Sequence, residues 1–102
     1  MSTFYGGGQL SGVASLSLVS GSYTVPNGHY AEVNYLLRHS GGTGGHTARL
    51  TLNTVALAIV DANDKERIGQ ITLTSGTVIS LFLSAGFSIT AGYVGIKIYK
   101  NP

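Results

Sequence analysis

Any chemistry in this chain has to come from three histidines, four carboxylates and a scatter of serines and threonines. The histidines are His29, His39 and His46. None stands in the His-x-His or His-x-x-x-His spacing that brings two imidazoles onto one metal, so no metal site is expected unless a three-fold axis gathers them. The carboxylates are Glu32 and a group of three, Asp61, Asp64 and Glu66, in one charged run. Glycoside hydrolysis needs two carboxyl groups on facing walls of a cleft, which this distribution does not suggest. Asp61-x-Asn63-Asp64 resembles the start of a calcium loop, but Glu66 stands where the turn glycine belongs and Thr72 where the bidentate glutamate belongs.

Serine chemistry needs an activated hydroxyl, and the Gly-x-Ser-x-Gly strand-to-helix elbow is missing. The glycine-rich run 41–45 lacks the following Lys-Ser/Thr and helix that would hold a phosphate. The expectation is a protein that is not an enzyme and carries no cofactor.

The elements that would position these residues are strands. Ala14, Leu16 and Leu18 alternate with Ser15 and Ser17, the period-two pattern of a half-buried strand. Pro26-Asn27-Gly28 is a turn, since proline presets φ and Asn-Gly accepts φ above zero. From His29 to His39, Ala31, Val33, Tyr35 and Leu37 share one face. Tyr30, Glu32, Asn34, Leu36 and Arg38 share the other, a mixed face that suits either a partner or an ordinary exposed surface with two apolar residues. Ala48, Leu50 and Leu52 alternate with Arg49, Thr51 and Asn53. Residues 55–60, Val-Ala-Leu-Ala-Ile-Val, predict a strand buried on both sides, with a buried helical turn as the competing reading. Ile71 and Leu73, then Thr77 to Leu83, Phe87 to Thr90 and Tyr93 to Lys100 supply further strands. The last is read with Val94, Ile96 and Ile98 inward and Tyr93, Lys97 and Tyr99 outward.

About eight short antiparallel strands with frequent turns and no amphipathic helix predict one all-β domain, a β-sandwich or jelly-roll-like fold over residues 13–102. Residues 1–12, with Gly6-Gly7-Gly8, read as a flexible N-terminal arm whose tip, Phe4 and Tyr5, would anchor on a neighbouring subunit. The N-terminus has no charged start and apolar run of the signal-peptide kind. The uncharged stretch Thr77 to Ile96 is long enough to cross a bilayer, but its glycines and serines break it into strands.

Only 10% of the residues are charged. Typical domains carry about 25%. A surface of hydroxyls and amides is easier to desolvate than one of ions, which suits a subunit covered by neighbours. The six cations at positions 38, 49, 65, 67, 97 and 100 form no cluster, so nucleic acid is not an expected partner, nor is a membrane. The absence of cysteine excludes disulfides and thiolate sites.

Three segments carry a resemblance: residues 23–35 (Tyr-Thr-Val-Pro-Asn-Gly-His-Tyr-Ala-Glu-Val-Asn-Tyr), 69–79 (Gly-Gln-Ile-Thr-Leu-Thr-Ser-Gly-Thr-Val-Ile) and 84–100, which contains Ala91-Gly92-Tyr93-Val94-Gly95. Together they resemble small β-sandwich structural proteins of tailed phages, both capsid decoration (cement) proteins and tail-fibre or baseplate β-domains. The resemblance implies a virion protein assembled in the host cytoplasm and not secreted. It implies a homo-oligomer, a trimer, seated on the major capsid protein or other virion proteins. Outward tyrosines suit such contacts, because they bring area and a hydrogen-bonding tip. The expected partner-binding residues are therefore Phe4, Tyr5, Tyr30, Leu36, Tyr93 and Tyr99. The alternative is a receptor-binding domain in which exposed Tyr30 and Tyr93 and the loops 40–46 and 61–67 hold a glycan.

Overall fold

The computed structural model describes residues 9–18, 20–39, 47–61, 66–84, 87 and 89–102. Among these lie eight strands: β1 (Gln9–Ser15), β2 (Gly21–Thr24), β3 (His29–Arg38), β4 (Thr47–Leu52), β5 (Val55–Asp61), β6 (Glu66–Leu73), β7 (Val78–Leu83) and β8 (Ala91–Lys100). They form two four-stranded antiparallel sheets in the orders β1-β8-β3-β6 and β2-β7-β4-β5. First pairs with last, second with seventh, third with sixth and fourth with fifth. That is the nested pairing of one long hairpin rolled into a two-sheet jelly roll.

Alternation decides which face meets the core. In β3, Ala31, Val33, Tyr35 and Leu37 are buried, and in β8, Val94, Ile96 and Ile98 are, as their period-two spacing requires. Ala48, Leu50, Ala58, Val60, Ile79 and Leu81 face them from the second sheet. Val33, Leu37, Leu50, Ile79 and Ile96 are completely enclosed. Each such side chain contributes about 1.5–3 kcal/mol by transfer from water. Two glycines let backbones and rings approach. Gly69 stands opposite Tyr35, whose Cζ would be 2.6 Å from a Cβ placed there. Gly92 takes φ 137°, with the Leu36 carbonyl against the place a Cβ would occupy.

Three expectations are corrected. Residues 9–12 do not belong to an arm: Gln9, Leu10 and Gly12 pair with Lys100, Tyr99 and Ile98 on β8, with a bulge between Leu10 and Gly12. The apolar run 55–60 is not buried on both sides. It forms β5, an edge strand with Val55 69% and Ile59 37% exposed, because Ile59 points to the outer face of the sheet, where even Phe82 on the internal strand β7 is exposed. Phe87, Ile89 and Thr90 are not strand. They form an irregular connection in which Phe87 still reaches the core and Thr90 N–H bonds the Arg38 carbonyl at 2.8 Å.

Candidate protein-binding face

The mixed face of β3 is the outer surface of the β1-β8-β3-β6 sheet, and the strand register arranges it in transverse rows. The first row is Leu10–Tyr99–Tyr30, from β1 through β8 to β3. The second is Val13–Lys97–Glu32–Thr72, ending on β6. Then comes Ser15–Gly95–Asn34–Gln70. Tyr93–Leu36–Ile68 follows, and Ala91–Arg38–Glu66 closes the face.

Apolar groups dominate two of these rows. Leu10, Val13, Ile68 and Tyr93 are 52%, 72%, 71% and 49% exposed, and all four lie on this face. Leu36 is half-buried between Tyr93 and Ile68. The charges are matched across strands: Glu32 stands directly opposite Lys97, and Arg38 bonds Glu66, with Nε 2.8 Å from Oε2. At the far end, Tyr30 and Tyr99 stack with centroids 5.1 Å apart and rings 10° from parallel. The Tyr99 phenol is held above its usual pKa, first by desolvation, then by the Glu32 carboxylate it hydrogen-bonds, with Tyr30 adding to it.

Of the residues expected at the surface, Tyr93 and Leu36 come together in one row and Tyr30 and Tyr99 in another. Tyr30 departs from expectation. It has no solvent exposure and its ring stacks on Tyr99, so it offers no platform to a sugar. Phe4 and Tyr5 lie outside the described residues, as do residues 40–46 and 62–65 of the two candidate binding loops and His46. His29 and His39 sit at opposite ends of β3; His29 Nδ1 is 2.9 Å from the Asn27 carbonyl and His39 stacks on Phe87 at 4.2 Å. One chain therefore does not bring these two imidazoles together.

Leu10, Val13 and Ile68 were not among the expected contact residues. Their signal was parity. Ile68 shares alternation with the polar Gln70 and Thr72, and Val13 with Ser15, so both had to point outward.

No family model matches the chain, and no curated protein matches it. Solved structures do share its fold. GITRL from pika superposes with TM-score 0.52 at 20% identity, over 88% of this chain and 85% of that one. GITRL from rabbit gives 0.51 at 20% identity, over 88% and 78%. The Drosophila NLP core, a structure reported for its insight into pentamer formation and histone binding, gives 0.50 at 11% identity, over 90% and 100%. At these identities the likeness is one of fold.

Proposed function

We propose that this protein is a non-enzymatic structural subunit that works by associating with copies of itself through the outer face of the β1-β8-β3-β6 sheet. In this reading it is a phage virion component of the capsid-decoration kind, and the trimer is the assembly the sequence resemblance implies. The observation that carries the reading is the placement of Leu10, Val13, Ile68 and Tyr93 on one face together with cross-strand charge pairs.

Such a face suits a second copy for two physical reasons. Its charges are already balanced within the sheet, so the surface of a neighbouring copy does not meet unmatched charge there. Its size is also adequate. Ten-residue strands β3 and β8 in a four-stranded sheet at ~3.4 Å per residue and ~4.8 Å per strand span roughly 600 Å². A standard interface covers about 800 Å² per partner, so the face plus its rim approaches what stable association needs. The NLP core, which shares the fold, is described in connection with pentamer formation, which supports a self-assembling use of this architecture.

The test replaces Ile68 and Tyr93 together with glutamate and follows mass by sedimentation equilibrium, with circular dichroism as the fold control. The expected result is a concentration-dependent oligomer for the natural chain and a folded monomer for the double variant. A natural chain that stays monomeric at high concentration, or a double variant that assembles unchanged, ends the self-association reading. Cryo-electron microscopy of phage particles bearing the chain separates decoration of the head from a place on the tail.

A further inference from the structure

Four strands bound the two sheets: β1, β6, β2 and β5. A bare edge is a template for another strand, and proteins blunt it with charge, brevity, proline or a bulge. β2 is blunted by its length of four residues. β6 opens with Glu66 and Arg67. β1 carries Gln9, Ser11, Gly12 and Ser15 and a bulge. β5 differs from all three. Residues 55–60 are wholly apolar, with no charge before Asp61. Among the described residues, what interrupts it is the bulge that leaves Leu57 between the Ala56–Thr51 and Ala58–Leu50 pairs.

Among the described residues, no strand pairs with the free side of β5. Val55, Ala56 and Ile59 are exposed, and none of residues 55–60 takes part in the described backbone hydrogen bonds made outside the strand ladders. Ile59 continues onto the outer face of its sheet, where it lies in register with Arg49 and, one strand further, the 62% exposed Phe82. β6 of the other sheet approaches β5.

We propose that the β5 edge is a second interaction site, taking the β5 strand of another copy in antiparallel pairing so that two β2-β7-β4-β5 sheets join into one. A second copy is the occupant the charges favour. Antiparallel self-pairing of a strand charged only at its C-terminal residue keeps the two Asp61 carboxylates at opposite ends, with apolar backbone between them. The paired edge is about 24 Å long at ~3.4 Å per residue, so main-chain hydrogen bonds rather than buried area supply most of the attraction. The contact is accordingly weaker than the sheet-face association and lies on a different surface, so either can fail without the other. Together they would let closed oligomers link laterally.

The experiment uses the full chain carrying Ile68→Glu and Tyr93→Glu, in which the sheet face is disabled, beside the natural chain. Amide hydrogen exchange is measured at low and high protein concentration. The expected result is that amides of residues 55–60 exchange about ten-fold more slowly at high concentration in both proteins, while in the face-disabled variant the amides of β3 and β8 slow by much less. Adding Val55→Lys and Ile59→Lys should abolish that protection and the residual self-association seen in sedimentation velocity. Concentration-independent exchange at 55–60 overturns the proposal, and because it is read on the natural sequence it does so even if the lysine variant unfolds. Protection that appears only when a different protein is added overturns the choice of a second copy.

Discussion

At Gly92 the chain takes a backbone conformation that other residues rarely adopt, and the Leu36 carbonyl carbon lies 2.9 Å from where a Cβ would stand. Neither constraint relaxes by a side-chain rotation, since both partners are main chain in adjacent strands of the same sheet. Gly92→Ala should therefore cost about 3 kcal/mol. Urea unfolding monitored by circular dichroism checks this; a loss below about 1 kcal/mol would mean that the β8 backbone relaxes freely at this point. Gly92 precedes Tyr93, so its conformation also sets the aim of an exposed tyrosine on the proposed contact face.

The β4–β5 hairpin depends on Asn53, which turns the chain at φ 56°. Its side chain does more than tolerate that conformation. Asn53 Oδ1 accepts the Val78 N–H at 3.1 Å, and Asn53 N–H donates to the Val78 carbonyl at 2.6 Å, tying the turn to the first residue of β7. Asn53→Gly keeps the turn and loses only the side-chain bond, for about 1 kcal/mol. Asn53→Ala loses the bond and adds left-handed strain, for about 2–3 kcal/mol in all. Equal stabilities for the two variants in thermal melts would show that the conformation, not the bond, carries no weight. The same strand shows why an apolar run is a poor guide to burial. Val-Ala-Leu-Ala-Ile-Val at 55–60 suits a strand enclosed on both sides, yet only its inward Ala58 and Val60 are buried while Ile59 lies on the outer face of the sheet.

For the molecule as a whole, the nested pairing has a kinetic consequence. Gln9 meets Lys100, Tyr23 meets Ile79 and Val33 meets Ile71, so only the β4–β5 hairpin closes a short loop. Loop-closure entropy must be overcome before most ladders form, which slows folding. Refolding of the monomer should fall in the ~1 ms to 1 s range typical of non-local β proteins. Stopped-flow tyrosine fluorescence reads it directly, since the chain has six tyrosines and no tryptophan. Completion within microseconds would contradict this topology. The two proposed contact surfaces, the mixed outer face of one sheet and the β5 edge of the other, lie on different sheets of the sandwich.

The amino-acid order by itself determined that this is an all-β sandwich and which side chains of the alternating strands turn inward, because a period of two assigns each residue of a strand to one of two faces. Ala31, Val33, Tyr35 and Leu37 were legible as core for that reason, and Tyr93 as outward. Tertiary structure alone decided which strands are neighbours. Register put Leu36 between Tyr93 and Ile68, set Tyr30 against Tyr99, and drew residues 9–12 out of an expected arm onto β8. Parity is a property of one strand, whereas a surface patch or a free edge is a property of strand order. That order is set by contacts between residues as distant in the chain as Gln9 and Lys100.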